Sequence, residues 1–143
     1  MLFRSTFLEL LEPLGDTIDV VVECSHEKQP HDRRSSCTEY AREGMERLVL
    51  ESMLWDFEDL LLHDGCCSIA IMHPDLPLEV QLDEHKLLIV YAEDRGPFEP
   101  ILARQGLSRD DRMRFISQGE HLHTSHTRYA RRFTQMVNTL GAR

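Results

Sequence analysis

The residues best suited to chemistry lie near the C-terminal end of the 143-residue chain, in Glu120-His-Leu-His-Thr-Ser-His126. On a helix Glu120 and His123 are three positions apart and share a face, together with Met113 and Ile116. A carboxylate and an imidazole projecting inward in this way are the unit from which helical metal sites are built. His126 joins them only where the helix bends. Glu120, His123 and His126 are therefore the candidate ligands for a divalent transition metal. The competing reading is a hydrogen-bonded polar pair at the edge of the core, and it is favoured because two residues do not make a metal site. A His-Glu-x-x-His pattern is absent.

A second cluster, Cys24, His26, His31 and Cys37, has the composition of a zinc site but the spacing of no common one. Cys66 and Cys67 stand beside Asp64, whose charge raises a thiol pKa and so disfavours a nucleophilic cysteine. There is no nucleophile elbow, no glycine-rich phosphate loop and no dinucleotide fingerprint. These absences point away from nucleotide hydrolysis and dinucleotide redox chemistry, and toward a non-enzymatic protein that needs no cofactor.

Charge is unevenly distributed. The net charge is −9. Residues 1–103 hold 22 acids against 8 bases, whereas residues 104–143 hold 3 acids against 8 bases. A basic tail of this kind can grip nucleic acid, but the global charge repels polyanions and the basic face carries no interleaved aromatics. Nucleic acid is disfavoured. The C-terminal arginines are expected to lie against the acidic part of the same fold. No apolar run is long enough for a bilayer, the first residues lack the features of a secretory signal, and the four cysteines form no Cys-x-x-Cys pair. A reduced, cytoplasmic protein is the expectation.

The elements that position these residues follow from periodicity. Leu2 to Leu11 reads as a short helix ended by Pro13-Leu-Gly-Asp16. Thr17 to Cys24 alternates as a half-buried strand, with Ile18, Val20, Val22 and Cys24 inward. Residues 25–36 are polar, contain Pro30 and read as a mobile surface loop. From Glu39 to His63 apolar residues cover most of a helical circumference, which predicts one long central helix capped by Thr38. Three strands follow at Cys67–Met72, Leu78–Leu82 and Lys86–Ala92, the last apolar on both faces and expected to be well buried. Phe98–Gln105 reads as a short helix, and residues 108–140 as one helix or two.

The expected fold is a single α+β domain over residues 1–143. Its mainly antiparallel sheet has about four strands, covered by the central helix and by C-terminal helices. Within the last helix Tyr129, Phe133, Met136 and Leu140 follow helical spacing. That stripe is either core or the seam of a weak homodimer. The leading expectation is thus an interaction protein whose partner is protein, including a second copy of itself. The alternative is a metal-binding protein or metal-dependent enzyme centred on Glu120 and His123.

Overall fold

The computed structural model describes residues 2–25, 38–115, 119 and 124–143. It is an α+β fold with a five-stranded antiparallel sheet. The elements run α1 (Leu2–Leu11), β1 (Thr17–Cys24), β2 (Thr38–Glu46), α2 (Arg47–Asp56), α3 (Glu58–His63), β3 (Cys67–Met72), β4 (Glu79–Leu82), β5 (Leu88–Tyr91), α4 (Glu99–Arg104) and α5 (Thr127–Leu140). The spatial order is β2-β1-β3-β4-β5. The loop expected at residues 25–36 lies outside the described residues except for Ser25, whose N–H donates to Cys66 O at 3.0 Å.

Alternation along β1 sets the layers. Ile18, Val20, Val22 and Cys24 are buried, while Thr17, Asp19, Val21 and Glu23 are not. Met45 continues the buried side onto β2, Ile69 and Ile71 onto β3, and Val80 and Leu82 onto β4. Leu10, Leu11, Leu50, Leu54, Leu60, Ile101, Phe133 and Met136 complete the same core from the helices. A sheet so patterned buries one face only.

The expected long central helix is instead a strand followed by two short helices. Gly44 has φ +65°, and its N–H donates to Asp19 Oδ1 at 2.8 Å. The β1–β2 register shifts between Ile18 and Val20. A glycine in left-handed conformation at a register shift is how a strand bulges, and the same glycine penalises a helix interior. The α2 helix starts only at Arg47, whose N–H donates to Asp16 O at 2.8 Å and whose guanidinium reaches Gly15 O, Glu51 and Asp16. Phe57, at φ −109°, separates α2 from α3.

The sheet therefore has five strands rather than about four. Residues 108–115 are not helical, and the last helix among the described residues is the 14-residue α5. His126 caps it, its Nδ1 accepting the Arg128 N–H at 3.2 Å. Gly141, at φ +67°, ends it with N–H bonds back to the last turn, and Arg42 donates to Leu140 O. Such a left-handed glycine with a nearby cation is a strong helix stop. Arg132 fixes the helix laterally by donating to Asp56 O while its guanidinium lies 4.6 Å from the Phe57 ring centroid. The expected docking of this arginine on an acidic helix is thus to a backbone carbonyl and a ring rather than to a carboxylate.

Tyr129, Phe133, Met136 and Leu140 are all buried within the one chain, and Phe133 stands 6.0 Å from Tyr40 of β2 between ring centroids. Phe133→Ala is expected to cost about 3–5 kcal/mol by emptying that site. Phe133→Asp should unfold the domain, read as loss of the far-ultraviolet circular dichroism signal and of the thermal transition. An Asp variant that keeps the wild-type spectrum would place this ring outside the core.

Candidate interaction surface

The two edges of the sheet differ in what lies beyond them. On β2, Ala41 exchanges two backbone hydrogen bonds of 2.9 Å with Arg143, so the end of the chain pairs along that edge. On β5, no further strand pairs among the described residues. The Asp83 N–H donates to Leu87 O at 3.1 Å, which makes this pair the hydrogen-bonded position at the base of the β4–β5 hairpin. By alternation, Leu88 and Val90 turn their N–H and C=O groups away from β4. Natural edges are usually blunted by lysine, proline or a bulge. Leu88-Ile-Val-Tyr91 has none of these, and Tyr91 is 52% exposed.

A groove of about 560 Å³ runs beside this edge on the helix side. Val90, Ala92, Phe98, Leu102 and Leu107 form its apolar wall. Its four charges fall into two ion pairs, Arg95 with Glu99 and Arg109 with Asp111. Exposed pairs of this kind add little stability. They do leave the groove without a net sign that would select a charged partner.

The face of the sheet opposite the helices carries rows set by register. One row is Ala41, Val21, Ala70, Gln81 and Ile89. Another is Asp19, Met72, Glu79 and Tyr91, and a third begins Glu39, Glu23 and Ser68. Cross-strand neighbours leave most of these side chains half-buried. Burial and a hydrogen bond with Glu39 raise the Glu23 pKa, with the charge of Glu84 adding to the effect, while the Ser68 hydroxyl, donating at 3.2 Å, opposes it.

Polar groups gather at the end of the sheet where β1 finishes and β3 begins. Asp64 is fully buried and its Oδ1 accepts the Cys66 N–H at 3.1 Å. Lys86, at φ +64°, donates from Nζ to Cys67 O at 2.9 Å. Burial lowers its pKa, opposed by Cys67, Asp64, Asp83 and Glu84. Burial drives the Cys67 thiol far upward, so it is no ready nucleophile. Asp83, Glu84 and His85 each bring one donor atom within 4.8 Å of the others. Asp83 is, however, already engaged, Oδ1 accepting the Leu87 N–H at 2.9 Å and Oδ2 meeting His85 Nδ1 at 3.2 Å. These contacts are those of a five-residue hairpin loop holding its own shape.

Of the residues singled out from sequence, Glu120 and His123 lie outside the described residues, as do His26, His31 and Cys37. His126 is exposed and serves as the helix cap. Tyr129, Phe133, Met136 and Leu140 are taken up by the core. Strand β5 was expected to be well buried, yet it is a half-buried edge. A signal for this is its place as the last strand of a sequential meander, with the turn Glu93-Asp-Arg-Gly-Pro97 after it. No protein family, no curated protein and no solved structure matches the chain.

The raised Glu23 pKa gives a pH prediction. The folded protein holds this proton at a pH where the unfolded chain has released it, so stability falls as pH rises from the ordinary glutamate pKa through the raised one. Glu23→Gln should therefore stabilise the fold at pH 7, with the gain shrinking toward pH 4. Denaturant melts at the two pH values measure it, and an equal effect at both would remove Glu23 as the cause.

Proposed function

We propose that this is a small, non-enzymatic protein-interaction protein that acts by strand addition to β5, and that its partner is a second copy of itself. The observation that carries this reading is the edge of β5, unpaired among the described residues, set against a β2 edge already paired by Arg143. A two-fold axis through Ile89 would set Leu88 opposite the partner's Val90, and the reverse. That arrangement makes four main-chain hydrogen bonds, each worth about 1 kcal/mol net. The apolar stretch of β5 matches itself, and the adjacent groove has no net charge to favour a charged partner. Two chains of charge −9 repel each other, so the pair is weak, with a dissociation constant on the order of 10–1000 µM. The seam is thus assigned to β5 instead of the buried stripe of α5.

The reading of Glu120, His123 and His126 as ligands for a divalent transition metal rests on spacing alone. The use of His126 Nδ1 as a helix cap commits one of its two ring nitrogens and weakens that reading.

Sedimentation equilibrium over a range of concentration and salt tests the proposal. The wild type should dimerise reversibly and more tightly as added salt screens the repulsion. Val90→Pro removes an outward N–H without touching the β4 ladder and should leave a folded monomer. Ile89→Lys, which places a charge at the axis, should do the same. A wild type that stays monomeric at about 1 mM, where even the weak end of that range leaves about half the chains paired, or variants that dimerise as well as it does, would overturn the assignment.

A further inference from the structure

Cys24 and Cys67 face each other across β1 and β3 as direct register partners. Both side chains are buried on the helix side of the sheet, and both are reduced thiols. The neighbouring pair, Ser25 and Cys66, is the hydrogen-bonded position, since the Ser25 N–H donates to Cys66 O at 3.0 Å. The Cys67 N–H turns the other way, to Asp64 O. Cys24 and Cys67 therefore occupy a non-hydrogen-bonded position, where opposed Cα atoms sit about 4.5 Å apart and side chains approach most closely. A disulfide spans Cα separations of roughly 4.4–6.8 Å. Cys66, on the opposite side of the strand from Cys67, has no such geometry toward Cys24.

We propose that Cys24 and Cys67 are a redox modification site, closing a reversible cross-strand disulfide when the chain meets a low-molecular-weight disulfide. The Cys24 thiolate, on the less deeply buried of the two residues, attacks one sulfur of the reagent. A mixed disulfide forms and one thiolate leaves. Fraying of the sheet end, which exposes the buried Cys67 thiol to water and relieves its raised pKa, then lets its thiolate attack Cys24 Sγ and expel the second. Two electrons pass from the cysteine pair to the reagent, which departs as two thiols carrying the two protons released. The Cα separation at such a position falls within the range a disulfide spans. Burial of both sulfurs makes closure slow and gated by fraying of the sheet end. The bond would clamp β1 to β3 beside Asp64 and Lys86. It does not depend on pairing at β5.

The test uses the full chain carrying Cys37→Ser and Cys66→Ser, so that only Cys24 and Cys67 remain. After circular dichroism establishes the wild-type fold, the folded protein is incubated overnight with oxidised glutathione. Free thiols are then alkylated and peptides mapped by mass spectrometry. The expected result is loss of both alkylation sites, a linked Cys24–Cys67 peptide and recovery of both thiols with dithiothreitol. The wild type should give the same linked peptide. Persistence of two alkylatable thiols after the incubation, or a wild-type linkage through Cys37 or Cys66 instead, would overturn the proposal.

Discussion

One-sided burial of the sheet is the constraint on which the rest depends. In β1, which pairs with β2 on one side and β3 on the other, inward Ile18, Val20, Val22 and Cys24 alternate with Thr17, Asp19, Val21 and Glu23. A helix layer can satisfy the first set only. The described helices contribute their buried leucines, Phe133 and Met136 to that one layer. Among the described residues the opposite face is left to cross-strand neighbours, and Val21, Ala70 and Met72 end half-buried beside Glu23 and Glu79.

A single-sided layer also leaves two sheet edges, and the chain treats them differently. At β2 the last residue, Arg143, pairs with Ala41 once Gly141 has turned the chain out of α5. Arginines hold the helices that make this possible. Arg47 ties the start of α2 to Gly15 and Asp16, Arg132 ties α5 to the end of α2, and Arg42 meets the end of α5. Each reaches a backbone carbonyl, a role suited to a planar, always-charged guanidinium. At β5 no such device follows among the described residues, and the strand ends in a turn toward α4. That β5 stands at an edge is a consequence of chain order: the meander finishes there.

Much of this was legible in the sequence. The alternation of β1, the three strands after residue 66 and the buried spacing of α5 are periodic signals that tertiary packing had no reason to override. The segment 39–63 misled because Met45, Leu50, Leu54 and Leu61 are apolar enough to suit either element. Gly44 was the informative residue, since its left-handed conformation bends a strand where it would weaken a helix. The end of the helical stretch at residue 108 misled in another way. Ser108-Arg-Asp-Asp111 resembles a helix start, yet Asp111 pairs locally with Arg109 and Asp110 accepts the Arg112 N–H, so side chains satisfy a turn instead. The position of β5 at an edge is a property of strand order, which periodicity does not carry.

The proposed addition of a second copy to the outward backbone of β5 makes amide protection there depend on protein concentration, and hydrogen exchange at residue resolution reads that dependence. The N–H groups of Leu88 and Val90 should exchange rapidly in dilute solution and become protected as concentration rises, while those of Ile89 and Tyr91, bonded to β4, stay protected throughout. Leu88 and Val90 amides whose exchange is independent of concentration, with protection appearing elsewhere on the chain, would contradict it.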